Sequence, residues 1–426
     1  MKSTIIRTVL LVLIAGIAGY YAGVSKIAFA WNNYQPHVEI TSKEPPPSLQ
    51  YGDANRMWEV LEKLEASYYD REGIDSEKLI NGAIMGMVSS LDDPYTVYLP
   101  PAQNDNFKQG MAGQFEGIGA ELAKPEQDVQ VVSPLDGSPA GKAGIRAGDI
   151  IVKVDDEFIG GLTLNQVVEK IRGPKGTDVV LTVVHKGEDK PTDITITRDT
   201  ITVDSLKTWT KKVSDIENIN TDELADAKDK EVVYIRLSQF GDTTNDEWVN
   251  IASDIDRQLG RNKNIEGIVF DLRNNPGGYL KDAVTIVSEF VPEGAAVMQE
   301  DRDGKRTSFP VTGNGLLTEV PVVVLINGGS ASASEIVAGA LRDHERATLV
   351  GEHSFGKGTI QTAEDLGPQT DAGLHITIAK WLTPNGTWVG NGKTGEGLKP
   401  DVEVAIDEKD RSHDVQLEKA VGELVK

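Results

Sequence analysis

The chain has 426 residues, a formal net charge of −23, six histidines and no cysteine. An acidic chain without a basic cluster is a poor match for nucleic acid, whose binding sites neutralise phosphates with Lys and Arg. The lack of cysteine excludes disulfides and thiolate metal sites, and the scattered histidines show no HExxH-type spacing, so neither a metal nor a cofactor is expected.

Lys2 and Arg7 precede Thr8–Val24, an uncharged run that, at about 1.5 Å per helical residue, barely crosses a hydrocarbon core of about 30 Å. The same residues fit a secretory signal with a positive start, an apolar middle and Ala28-Phe29-Ala30 as a small-x-small cleavage site. Residues 1–30 therefore read as a signal peptide or signal anchor, and either reading exports the body to a periplasmic or other extracytoplasmic side. A retained segment 8–24 anchors it to the cytoplasmic membrane with Lys2 and Arg7 inside. Residues 31–52, with Glu44-Pro45-Pro46-Pro47, read as an extended linker. Met57, Leu61, Leu64 and Tyr68, then Ile80, Ile84, Met87 and Leu91, recur with helical spacing and predict a small N-terminal helical unit over 53–105. Met57 and Trp58 belong either to its core or to a contact between subunits.

Residues 106–200 change texture. Short alternating strands are punctuated by Gly117-Ile118-Gly119-Ala120 and by the run from Ser138-Pro139-Ala140-Gly141 to Ala147-Gly148-Asp149. The pattern looks like a PDZ module, which adds an extended peptide to a sheet edge and captures its terminal carboxylate in a nest of backbone amides. On that resemblance Gly117, Ile118 and Gly119 form the peptide-binding loop, whereas the glycines alone would be explained by a β-bulge.

Residues 201–404 alternate strands with helices, including Val232–Leu237, Ile265–Asp271, Val322–Ile326 and Leu374–Ile378, as an α/β core does. The strand ending at Leu272 breaks at Asn275-Pro276-Gly277-Gly278, and helical spacing resumes at Leu280, Ala283 and Val287, so the turn exposes backbone amides. Further on, Val322–Ile326 passes through Gly328-Gly329 and Ser330-Ala331-Ser332-Ala333-Ser334-Glu335 into a helix carrying Ile336, Val337, Ala340 and Leu341. That order sets a serine at a helix N-terminus; Ser332-x-x-Glu335 is also a capping box, which accounts for a serine there without any chemistry. After the strand Ala347–Val350, Lys357 sits between Gly356 and Gly358, where little prevents close approach to a serine. Lysine is a poor base at its ordinary pKa of ~10.4, but burial lowers it at a cost of about 1.4 kcal/mol per unit, and arginine cannot serve because it keeps its proton. A serine of the cluster as nucleophile and Lys357 as general base make a coherent Ser-Lys pair. A Ser-His-Asp triad using His344, His353 or His375 competes, yet His344 lies in Arg342-Asp343-His344-Glu345-Arg346, which looks like a wet helix end, and nothing marks a carboxylate to orient His353. In residues 405–426, Leu417, Ala420, Val421 and Leu424 share one face, predicting a terminal helix that packs on the body or on a second subunit.

Ser-Ala-Ser-Ala-Ser-Glu-Ile at 330–336 and Phe-Gly-Lys-Gly-Thr-Ile-Gln at 355–361, with Lys357 25 positions after Ser332, resemble the paired signature of the carboxyl-terminal processing (tail-specific) proteases. The resemblance covers Asp53 to Val404. It implies Ser332 as nucleophile, Lys357 as base, Gln361 as the residue that positions the lysine, and an oxyanion hole from the amides of Ala333 and of Gly278, in preference to Gly277. It also implies an α/β multidomain protein: a crotonase-like protease core over 201–404, an inserted PDZ-like domain, and homo-oligomers formed through the N- and C-terminal helices. In such proteases the PDZ domain can cover the site until a peptide binds, leaving Ser332 and Lys357 misaligned at rest. The expected function is an exported serine endopeptidase that recognises proteins or peptides by their free C-termini and cleaves nearby, with no cofactor. Two other readings remain: an inactive PDZ adaptor, against which Ser332, Lys357 and Gln361 speak, and a crotonase-like acyl-transfer or hydratase enzyme, against which the PDZ-like insertion and Lys357 speak.

Overall fold

The computed structural model describes residues 27–32, 35–40, 51–123, 128–135, 137–146, 148–162, 164–188, 190–202, 204–313, 315–367, 370–390, 396–406 and 413–426. The apolar run 8–24 and the proline run 44–47 lie outside these residues. Among those described, no helix is long and apolar enough to cross a membrane.

Two compact units divide the chain, residues 1–80 and 81–426. In the first, β1 (Ile27–Asn32) pairs antiparallel with β2 (Gln35–Ile40), register Ile27↔Ile40, where a cleavage site and a linker are expected from the sequence. Helix α1 (Tyr51–Ser67) follows, with Met57 and Trp58 exposed. Helix α2 (Ser76–Ser89) runs through the division, so the helical unit expected over 53–105 is shared between the two units.

In the second unit, β3 (Val97–Leu99) leads to α3 (Pro101–Met111), begun by a proline whose fixed φ suits a first helical turn. The boundary expected at 105/106 falls inside α3. Beyond it, β4 (Gln114–Gly117) opens a module of β5 (Ala120–Ala123), β6 (Val129–Pro134), α4 (Pro139–Ala143), β7 (Ile150–Val154), β8 (Glu157–Phe158), α5 (Leu164–Ile171), β9 (Asp178–Val184) and β10 (Pro191–Thr197). Strand β11 (Asp199–Thr202) returns to pair with β4, so a two-stranded neck closes the module. Its sheet runs β10-β9-β7-β6-β5, with β8 on β7, which leaves β5 at an edge. Val131, Ile151, Val167, Leu181 and Val183 fill its core.

The remainder comprises β12 (Leu206–Lys212), β13 (Glu231–Leu237), α6 (Thr244–Arg261), β14 (Ile265–Asp271), α7 (Leu280–Phe290), β15 (Ala295–Asp301), β16 (Arg306–Pro310), β17 (Val322–Ile326), α8 (Ala333–Asp343), β18 (Ala347–Gly351), β19 (Thr359–Asp365), β20 (Gly373–Leu382), β21 (Val402–Glu403) and α9 (Val415–Leu424). One sheet runs β12-β13-β14-β17-β18-β21, parallel from β13 onward. Parallel strands covered on both faces must be apolar at every position, and β17 is: all five of its residues are buried. Each such side chain contributes about 1.5–3 kcal/mol. Trp248, Ile255, Ile286, Phe290 and Ile336 cover one face; Leu417, Ala420 and Val421 of α9 cover the other against Val269, Val323, Leu325 and Val350. The terminal helix thus packs on the body. A second, antiparallel sheet runs β16-β15-β20-β19 with β3 on β20, placing β19 at its edge.

Candidate active site

Strands β14 and β17 are parallel neighbours, with Asp271 opposite Leu325, so the chain leaves both at the same end of the sheet. Open α/β sheets hold their sites there, beyond the carboxyl ends of the strands. The two exits are stitched together. Asn327 Oδ1 accepts from the Asn274 amide at 2.9 Å and from the Gly329 amide at 3.0 Å, and its Nδ2 donates to Asn274 Oδ1 at 2.9 Å. The amide of Ala331 donates to Asn275 O at 3.0 Å.

This scaffold separates the three serines. Ser330 and Ser334 are both 0% exposed, their hydroxyls donated to Leu272 O at 2.8 Å and to Asn275 O at 2.9 Å. Ser332 alone is half-buried and lines a cleft of about 660 Å³. Its backbone, φ 56° and ψ −114°, is a conformation L-residues avoid, at a cost of about 1–3 kcal/mol that only surrounding structure can sustain. Sharp strand-to-helix turns of this kind lift a serine hydroxyl out of the sheet.

Gly277 and Gly278 stand against that elbow. A Cβ on Gly277 would lie 2.8 Å from Ser332 Cβ and 2.9 Å from the Ala333 amide nitrogen; one on Gly278 would lie 1.9 Å from Phe240 O. Both have positive φ, 97° and 143°, so no other residue type fits. Their amides differ. Gly277 donates to Asn275 Oδ1 at 2.9 Å. Phe240 brackets Gly278 by accepting from the Tyr279 amide and donating to Gly277 O, each at 3.0 Å. No partner for the Gly278 or Ala333 amide exists among the described residues, and both residues line the cleft.

Lys357 reaches the cleft from the loop after β18. Its main chain is held by Glu335, a residue the sequence marks only as half of a capping box. Glu335 is 0% exposed and accepts from the amides of Ser332 (2.7 Å), Gly356 (2.6 Å) and Lys357 (3.0 Å) and from Ser354 Oγ (2.6 Å). Burial pushes its carboxyl above the usual range while those donors pull it back. On the other side Trp381 Nε1 donates to Lys357 O at 2.7 Å. Burial pushes the Lys357 amine below the ordinary lysine value, opposed by the charges of Glu335 and Asp93. The shift has the direction a base requires. Among the described residues no hydrogen bond joins Ser332 Oγ to Lys357 Nζ; the amine lies 5.0 Å from the ring centroid of Tyr95.

Gln361 lines the same cleft, its Nε2 donated to Thr359 Oγ1 at 2.9 Å and Thr377 Oγ1 at 3.1 Å rather than to any group of Lys357. Of the histidines, His344 Nε2 contacts Ala295 O at 2.7 Å, exposed His353 contacts Glu396 O at 3.2 Å, and His375 packs edge-on to Phe107 in the cleft wall with a ring separation of 4.5 Å. None pairs with Ser332. All seven residues of β19 line the cleft, and α3 supplies Phe107 and Met111, which no sequence motif singles out. In the PDZ-like module, Gly119 has φ 71°, and the amides of Ile118 and Gly119 find no partner among the described residues beside the edge strand β5.

Comparison with known proteins assigns the modules to families. Residues 231–404 match Peptidase family S41, 130–184 match the PDZ domain, and 13–102 match the N-terminal domain of the activating protease CtpB. The carboxy-terminal-processing protease of Bartonella bacilliformis is 38% identical over 404 residues, 94% of this chain and 85% of that one. The carboxy-terminal processing protease CtpA of Bacillus subtilis is 34% identical over 362 residues, 84% of this chain and 71% of that one. Among solved structures, the photosystem II D1 C-terminal processing protease superposes with a TM-score of 0.50 at 29% identity, covering 84% of this chain and 94% of that chain. The chain belongs to the PDZ-containing carboxy-terminal processing proteases of peptidase family S41, serine-type peptidases acting on protein substrates.

Proposed function

We propose that the protein is an exported endopeptidase that cleaves near protein C-termini by a Ser-Lys mechanism in a crotonase-like core. The observation carrying this reading is the shared cleft wall: one accessible serine, two amides without a partner among the described residues and one partly buried lysine. Ser332 Oγ bonds to the scissile carbonyl carbon as its proton passes to Lys357 Nζ. The amides of Ala333 and Gly278 receive the oxyanion, each donor contributing about 3–4 kcal/mol to the transition state. Collapse breaks the C–N bond, the proton on Nζ goes to the leaving amine, and water hydrolyses the acyl-enzyme by the same steps in reverse. Gln361 supports the lysine; its Nε2 already serves Thr359 and Thr377, so that support falls to Oε1.

Substrate enters as an added strand on the open edge of β19, and its terminal carboxylate docks on the amides of Ile118 and Gly119 with the tail along β5. With Nζ turned toward Tyr95 the pair is not closed, which fits a resting form that peptide binding activates. Incubation with an unfolded protein bearing an apolar C-terminus tests the scheme. Ser332→Ala and Lys357→Ala abolish cleavage, and amidation of the substrate terminus slows it; cleavage indifferent to both substitutions refutes the dyad. Export rests on residues 1–30. A mature chain starting at Trp31 marks a cleaved signal, and a full-length chain in the membrane fraction marks an anchor; a full-length chain in the cytosol defeats both.

A further inference from the structure

Lys357 is met from a direction its own motif does not contain. Between α2 and β3 the chain turns at Asp92 (φ 55°) and runs Asp93-Pro94-Tyr95-Thr96 into β3, which pairs with β20 through Tyr98 opposite Leu374. Asp93 ties this loop to itself: Oδ1 accepts from the Tyr95 amide at 3.0 Å and Oδ2 from Thr96 Oγ1 at 2.6 Å. Thr96, 6% exposed, ties it to the sheet by accepting from the Thr377 amide at 3.0 Å, and Thr377 Oγ1 accepts from Gln361 at 3.1 Å. The clamped loop then turns the Tyr95 ring toward Nζ at 5.0 Å.

Four groups act on the amine: Glu335 from α8, Asp93 and Tyr95 from this loop, and His375 from β20. Glu335 already serves four donors. His375 is kept toward its neutral form by burial and by Lys357 itself. Asp93, though burial works against it, is held in its charged form by Thr377, Thr96 and the Tyr95 amide.

We propose that Asp93 and Tyr95 are positioning residues for the general base, the ring seating the protonated amine between proton transfers and the carboxylate fixing the loop that presents that ring. The proposal rests on Lys357 being that base. A base in this reaction must be neutral to accept the Ser332 proton and cationic to deliver it to the leaving amine. A ring face and a nearby carboxylate both favour the cation, while burial favours the neutral amine. The loop therefore supplies a counterweight to desolvation from outside both catalytic motifs.

The test is kcat and KM for a peptide substrate across pH, with the full chain carrying Asp93→Asn, Tyr95→Leu, Tyr95→Phe or Lys357→Ala. Asn keeps the acceptor for the Tyr95 amide and removes the charge that raises the lysine pKa. The acid limb of kcat/KM therefore moves to lower pH, the sign expected when a base loses an anionic neighbour. Tyr95→Leu lowers kcat about tenfold with KM little changed, the scale of a partly desolvated cation–π contact, and Tyr95→Phe recovers most of the loss. An acid limb unmoved by Asp93→Asn, or Tyr95→Phe as impaired as Tyr95→Leu, overturns the proposal; if Tyr95→Leu unfolds, the limb in Asp93→Asn decides. Activity in Lys357→Ala refutes the assignment of the base itself, whereas an inactive Lys357→Ala beside an unmoved Asp93→Asn limb defeats only the role of the loop.

Discussion

The proposed nucleophile, Ser332, and the proposed base, Lys357, line one cleft but are built in different ways. Ser332, Ala333 and Gly278 sit on two turns that leave adjacent parallel strands, and hydrogen bonds through Asn274, Asn275 and Asn327 fix them. Lys357 has an equally fixed main chain, yet its amine is addressed by a loop whose link to β20, Thr96 with Thr377, joins residues 281 positions apart. One half is preorganised locally; the other depends on long-range assembly. Rigid donors cost no reorganisation at the moment of reaction, whereas a lysine that, as proposed, changes charge four times per turnover benefits from an environment that can be adjusted.

The contrast can be broken most severely at Gly278. A methyl group there meets Phe240 O at 1.9 Å, so the turn must move and the amide with it. Gly278→Ala is expected to lower kcat by about 10²–10³ with KM nearly unchanged; a raised KM with kcat intact would remove Gly278 from the oxyanion hole. The Asp93→Asn experiment probes the other half and is expected to shift a pH limb rather than abolish turnover. The smallest effect concerns stability alone. Ser332→Gly relieves the φ of 56°, and after subtraction of the added freedom glycine gives the unfolded chain it should unfold about 1 kcal/mol less readily than Ser332→Ala. Equal stability of these two inactive variants would show that the elbow carries no strain.

Much of the nucleophile half was legible in the sequence because it is local: an apolar strand, paired glycines and a serine cluster opening a helix. Spacing did not choose among the three serines, because the choice comes from tertiary burial: Ser330 and Ser334 are consumed by carbonyls of the neighbouring turn. Nor did a capping box reveal that Glu335 also collects Ser354, Gly356 and Lys357, since those donors arrive from another strand's loop. The preference for Gly278 over Gly277 came from resemblance; what supports it is that Asn275 takes the Gly277 amide. The Asp93–Thr96 loop gave no signal because its partners are far along the chain. Module boundaries were blurred for a related reason: α3 belongs to the cleft as well as to the approach to β4.

Strand β19 ends its sheet with an open edge along the cleft. A chain added to such an edge is gripped through peptide groups that every sequence possesses, so on the proposed substrate path selectivity at the cut would be weak. On the proposed function, selection would then fall to the loop at Ile118 and Gly119, and the span between that loop and the cleft would set how much of a tail is removed.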